Sequence, residues 1–524
     1  MPDRAARKVL DAWLDRLRPL AETAARARWT LSLSATPENA KALEAARRAQ
    51  DAALRDPEGF RRVEQSLSES VADPILRRAL EVLRLDLLPF HRGRPEALVA
   101  LETKVQQVYG TFRATRGDRR LSSNDVTEVL RRSTDAAELE ATWRAAVALG
   151  AEVGDHVREL ARLRNEQARA LGFRTYRDLA LHASEVDAAW LDRFLLDLAE
   201  GTGSSFAAWK ESQDERLASR FGLDPGLLKP WHYGGVFFEG LPPGEEREDP
   251  FADADLVALT RKTFDGVGLD VGSALARSDL FPREGKNQHA FCTHLDRAGD
   301  VRVLCNLAQN ERWMRTMVHE FGHAAFDLGL DFALPWNLVR PAHVGVTEAV
   351  AMLFGRLPRD PLWLERVARI HDDGTAERHG REALLLFVRW ALVVVEFERC
   401  LYEDPDGDLD SAWWGLVERL QGIPAPKDRP DSPWAAKIHV ALFPVYYHSY
   451  LMGECFASQM ARHLREHVAG AGLVGNAEAG RWLSEHVFRP GALVRWDRLI
   501  ERATGRPLEA AALLDDCLMP TQAV

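Results

Sequence analysis

Cysteine is scarce and scattered: the 524-residue chain has five, Cys292, Cys305, Cys400, Cys455 and Cys517, and no CxxC pair. An odd number at wide spacing excludes a disulfide framework or a thiolate zinc site as the organising feature, and it suits a reducing cytoplasm. Long apolar runs are missing too. The most apolar stretch, Ala383 to Phe397, is too short to cross a bilayer and carries Arg389 in its middle, so it reads as a buried helix and no membrane partner is expected. The opening sequence MPDRAARKVLDAWLDRL interleaves charges with apolar residues and lacks the apolar core of a signal peptide, so export is not expected. Lysine is rare: it supplies nine of 68 basic residues, which 79 acidic ones outnumber for a formal charge of -11. No run concentrates positive charge, so nucleic acid is not an expected partner. What the chain does contain, 46% hydrophobic and 28% charged residues, is the mixture of a folded globular protein.

Helical spacing of apolar residues recurs at Arg4 to Arg28, Pro37 to Ala53, Pro57 to Ser68, Pro95 to Arg113, Ala136 to Ala170 and Asp187 to Phe221. Gly172 and Gly222 follow two of these runs where a helix-ending glycine belongs. Leu228 to Arg247 clusters proline, glycine and aromatics without a helical period and predicts a loop, the best candidate for a boundary between lobes. Asp300 to Leu307 alternates as a strand should, which predicts a small sheet. Helical spacing then returns at Gln309 to Leu328, Val344 to Leu357, Ala383 to Leu401, Ser411 to Leu420 and Pro433 to His467. With no internal repeat or flexible linker, the chain reads as one mainly α fold, residues 1–250 a helical region and 251–524 the part carrying chemistry.

That chemistry lies in NERWMRTMVHEFGHAAFDL, where His319-Glu320-Phe321-Gly322-His323 fits HExxH on a helix. Histidines four apart share one face a turn apart, so both rings can meet one ion while Glu320 stands beside it as a base. Two unrelated helix histidines are the plain alternative. A catalytic zinc usually takes three protein ligands, so a third is required. Position 329 is glycine, which excludes a third histidine six residues past His323. Glu348, in the apolar helix VGVTEAVAMLFGRL, is the carboxylate whose burial a cation would compensate. A helix-start glutamate favoured by the dipole is its alternative reading. Asp327 and His343 are weaker candidates, Asp327 as a solvent-facing residue and His343 as a packing or orienting one.

At these residues the chain resembles the gluzincin peptidases of the angiotensin-converting-enzyme family and the related thimet-type oligopeptidases and oligoendopeptidases. The likeness includes HEFGH, TEAVA, RNEQARALGF, GKNQHAFC and KIHVALFPVYYHSYLMGECFASQM. It implies a large two-lobed helical fold with a deep central cleft, a small sheet near the active site, and Zn2+ held by His319, His323 and Glu348. It also implies that Glu320 acts as general base, and that Tyr447 and His439 stabilise the oxyanion, with Tyr446 and Tyr450 as competing assignments. His289 and Ala290 would contact the substrate backbone, and Lys437 would bind a C-terminal carboxylate, favouring release of C-terminal dipeptides. The chain departs from the family at position 352, a methionine where converting enzymes place an aspartate that supports a zinc-bound histidine. The implied substrates are short peptides. Endopeptidase or carboxypeptidase action on the same fold, or a helical peptide-binding protein without catalysis, are the alternatives. Glu320 argues against the last, because a binding site needs ligands but no base.

Overall fold

The computed structural model describes residues 2–244, 249–470 and 472–517. Helix starts near the N-terminus are written in dipeptides: Thr36-Pro37, Asp56-Pro57 and Asp73-Pro74 open the helices Pro37–Leu54, Pro57–Ser68 and Pro74–Leu87. In each, the first side chain accepts backbone N–H groups that a helix start leaves unpaired, and proline occupies the position that has no N–H bond to lose. With the first helix, Pro2–Leu33, they enclose a core of their own around Leu10, Trp13, Phe60, Val63, Leu80 and Leu83. The helix Pro74–Leu87 was not legible as a periodic stripe because it buries side chains on every face, Arg78 included. That arginine is held by Glu185 at 2.7 and 2.6 Å and by the Ala492 carbonyl at 3.0 Å.

The larger core contains the functional region. The expected run from Ala136 to Ala170 is two helices, Ala136–Val147 and Leu149–Ala170. The loop after Leu228 is packed: Trp231, Tyr233 and Phe238 are buried in the same core as Trp143 and Trp414, and its residues 245–247 lie outside those described. The expected strand is shorter, Val301–Leu304, paired antiparallel with Phe291–His294 so that Phe291 faces Leu304 and His294 faces Val301. A second hairpin, Ala114–Arg116 with Arg119–Leu121, was not expected. Neither changes the class, which is mainly α.

The expected helix from Pro433 to His467 is broken into a 3-10 turn Pro433–Ala436, a short helix Ile438–Leu442 and a long helix His448–His467. Pro444 accounts for the break, since proline offers no N–H and disfavours helix in the residue before it. Val445, next in line, sits at φ 58°, a conformation that a β-branched residue resists. Its N–H donates to Oε1 of the buried Glu398 at 2.7 Å, so the surroundings hold the strained residue in place.

Three helices form the frame of the site. The helix Glu311–Leu328, hereafter the motif helix, packs on Val344–Gly355, the acid helix, which packs in turn on His448–His467, the tyrosine helix. Glycine makes both contacts close. A Cβ at Gly322 would stand 2.8 Å from Ala351 Cα, and one at Gly453 would stand 3.0 Å from Glu348 Cβ.

Gly322→Ala is therefore expected to push the motif and acid helices apart and to cost about 1–3 kcal/mol, read as a lower urea midpoint at unchanged slope. Burial pushes the Glu398 carboxyl up to about 8, from 4.5 in an ordinary setting. The folded state then keeps a proton that the unfolded chain releases, so stability falls as pH rises from 4.5 towards 8, by at most about 1.4 kcal/mol per unit. Glu398→Gln should flatten that part of the stability–pH curve measured by urea unfolding.

Candidate metal centre

Asn310 starts the motif helix by accepting the Trp313 N–H at 2.9 Å. Met314, Met317, Val318 and Phe321 anchor it in the core, leaving His319 and His323 a turn apart with ring centroids 5.0 Å from each other. From the acid helix, Glu348 brings Oε2 to 3.8 Å from His319 Nε2 and 3.7 Å from His323 Nε2. The three residues form a group whose ligand atoms all lie within 4.8 Å of one another. Donors about 2.0–2.1 Å from a tetrahedral zinc stand roughly 3.3–3.5 Å apart, so little adjustment is needed.

The donor set fits a cation on independent grounds. Oε1 of Glu348 accepts the Tyr446 hydroxyl at 2.9 Å, whereas Oε2 is buried with no hydrogen-bond partner in the protein. An unpaired buried carboxylate oxygen is costly, and burial accordingly pushes this carboxyl up to about 7. A metal ion at Oε2 removes the cost. Burial also holds His319 down to about 4, helped by the positive Arg315, and holds His323 well below its ordinary value, helped by His319. Both rings are therefore neutral at pH 7, the state in which imidazole is a ligand.

Support for the rings comes from residues that the sequence reading missed. Thr347 Oγ1 lies 2.7 Å from His323 Nδ1, and the Ala351 carbonyl hydrogen-bonds His319. These contacts take up the orienting task that Met352 cannot perform. A hydroxyl residue directly before Glu348 was the available signal. His343 caps the acid helix, its Nδ1 accepting the Gly345 N–H at 3.0 Å, and does not join the three. Asp327 does not join them either; it is partly buried rather than solvent-facing, and burial pushes its carboxyl up to about 7 against the pull of Arg297.

Glu320 is buried beside this group and accepts the Cys292 N–H from the hairpin. Burial, with the Glu348 charge adding, pushes its carboxyl up to about 8. It lines a cleft of about 930 Å³ together with His319, His439, Tyr447 and Tyr450. His439 is pushed down to about 4 by burial, with Lys437 and His289 adding, and its Nδ1 is buried without a partner.

The break at Pro444 spreads the tyrosines around this ring. Tyr447 lies 5.0 Å from His439 and Tyr450 lies 6.3 Å away, while Tyr450 touches both Tyr446 and Tyr447 at 5.2 Å. Tyr446 is engaged with Glu348; Tyr447 accepts the Trp390 Nε1–H at 2.9 Å, which leaves its own O–H able to donate. His289 is exposed, and Ala290 packs against the core just ahead of the hairpin. Lys437 is not free: its ammonium pairs with Glu239 and lies over the rings of Phe237, Trp390 and Tyr447 at 5.7, 5.2 and 5.8 Å.

Two family models match separate parts of the chain. The family model of peptidase family M3 matches residues 271–518, which hold the motif, acid and tyrosine helices. That of angiotensin-converting enzyme matches residues 2–192, the N-terminal helices.

Zinc added to metal-free protein is expected to raise the thermal midpoint, because it binds the folded state alone. Glu348→Gln should retain the fold by circular dichroism, lose that rise, and weaken zinc by at least about 100-fold in a competition titration.

Proposed function

We propose that this chain is a zinc metallopeptidase of the gluzincin type, related to angiotensin-converting enzyme and the thimet-type oligopeptidases, which hydrolyses short peptides and releases C-terminal dipeptides. The observation that carries the peptidase reading is the orphaned Glu348 Oε2 facing two neutral imidazoles, with Glu320 buried alongside. A zinc ion held by His319, His323 and Glu348 supplies Lewis acidity for a peptide carbonyl and lowers the pKa of water towards neutrality.

The remaining work falls to side chains. Glu320 takes a proton from the attacking water and returns it to the leaving amine, the only strongly perturbed carboxyl other than Glu348 among the described residues lining or holding the centre. A cation beside it favours the charged, basic form, opposing the shift that burial imposes. Tyr447, whose hydroxyl proton is free to donate, and His439 beside it stabilise the oxyanion that develops in the transition state. Tyr450 competes for this role, since it lines the same cleft. His289 and Ala290, entering the hairpin, present the substrate backbone with a partner, and the edge of Phe291–His294 supports an extended peptide.

A second reading, internal cleavage of oligopeptides, is favoured by one contact. Lys437 can read a C-terminal carboxylate only by leaving Glu239. Five free cysteines support a cytoplasmic place of action, and no helix of the described residues is long and apolar enough to cross a membrane.

Glu320→Gln should retain zinc and lose about 10²–10⁴-fold in kcat, measured on internally quenched peptides. Tyr447→Phe should lose about 100-fold in kcat with little change in KM; an undiminished kcat, with the loss found in Tyr450→Phe, would transfer the role. Chelation should abolish cleavage. Equal cleavage of free and amidated peptides would favour the internal mode over dipeptide release.

A further inference from the structure

One wall of the cleft carries arginines that form no ion pair among the described residues. Arg315 stands four residues before His319, a turn earlier on the same helix face, and lines the cleft with it. Its one hydrogen bond among the described residues runs from Nε to the Gly355 carbonyl at 3.4 Å, so both terminal nitrogens remain available. Burial holds this guanidinium down to about 10, with the charge of Arg359 adding. Glu311 and Glu454 pull against both from a distance, but neither forms an ion pair with it. Arg312, three residues earlier, is exposed and unpaired among the described residues. Its charge opposes that of Arg131, whose side chain among the described residues bonds the Leu241 carbonyl at 3.3 Å and no carboxylate.

Three acids of this region are already paired. Glu311 pairs with Arg359 at 2.5 Å, Glu454 pairs with Arg356 at 2.5 Å, and Glu239 pairs with Lys437. Arg315, Arg312 and Arg131 therefore present guanidinium forks shaped for a carboxylate, without an ion pair among the described residues.

We propose that Arg315, backed by Arg312 and Arg131, determines specificity by binding an anionic group of the peptide, either its C-terminal carboxylate or an Asp or Glu side chain. The inference rests on the peptidase reading for the identity of the ligand as a peptide, and on the cleft geometry for the charge that ligand carries. One helical turn is about 5.4 Å and one extended residue about 3.3–3.6 Å, so the anion lies one or two residues from the bond at the metal centre. Lys437, held by Glu239, is then not the cation that reads the substrate.

Binding separates this inference from catalysis. In zinc-loaded protein carrying Glu320→Gln, three labelled peptides of equal length are compared by fluorescence anisotropy: one with uncharged side chains and an anionic free C-terminus, one amidated with an anionic glutamate, and one amidated and neutral. At least one anionic peptide should bind about tenfold or more tightly than the neutral one, and added salt should erode the difference. Which anionic peptide gains tells terminal from side-chain recognition. Adding Arg315→Gln should bring the ratio to within about twofold, Arg315→Lys should keep part of it, and Arg315→Glu should favour a lysine-containing peptide instead. Zinc content, measured for each variant, identifies any loss due to the metal. Equal binding of all three peptides, or a preference unaltered by Arg315→Gln, would overturn the proposal. Failure of the unmutated protein to cleave any of them would overturn the peptidase reading while leaving the charge preference standing or falling on its own.

Discussion

The structure turns on one buried oxygen. Glu348 Oε2 is placed between two imidazoles with no donor from the protein, while Oε1 is satisfied by Tyr446. A buried carboxylate oxygen without a partner is costly, and a cation at this place would remove the cost. The packing that puts it there is equally specific, because Gly322 and Gly453 let three helix backbones approach to distances that a methyl group on either would prevent. Metal binding and helix packing are thus one constraint, seen from the ion and from the core.

Around that centre the burial of charge is consistent in sign. Carboxyls rise and imidazoles fall, burial being the leading cause for Glu320, Glu348, His319, His323 and His439 alike. A low-dielectric pocket of this kind strengthens whatever electrostatic contacts form inside it. It also explains why the arginine wall matters: an unpaired guanidinium in such surroundings attracts an anion more strongly than the same group at a free surface. Lys437 shows the contrast, since its charge is already answered by Glu239 and by aromatic faces.

The segment that presents His439 and the tyrosines depends on stored strain. Pro444 stops one helix, Val445 takes up a left-handed backbone angle, and Glu398 pins its N–H from within the core. A continuous helix from Pro433 to His467 would place the same residues at regular angular intervals along one rod. The break instead brings Tyr447 and Tyr450 to the same imidazole. Local distortion at a functional segment, held by a buried polar contact, is where a periodic reading is expected to fail.

The linear order of residues determined what depends on local spacing. The helical class follows from apolar periodicity, the helix starts from capping residues before prolines, and the pairing of His319 with His323 from a separation of one turn. The nearby Glu348 was legible as well, because a carboxylate amid apolar neighbours needs a partner wherever the chain places it. Only the tertiary structure decided that Thr347 and the Ala351 carbonyl orient the rings, that Lys437 is paired with Glu239, and that Arg315 forms no ion pair among the described residues. The pairing of Lys437 and Glu239 joins residues 198 positions apart, and the vacancy around Arg315 depends on which acids other arginines have taken. Sequence spacing carries angular information over a few turns of one element, whereas the neutralisation of a charge is set by every element that packs around it.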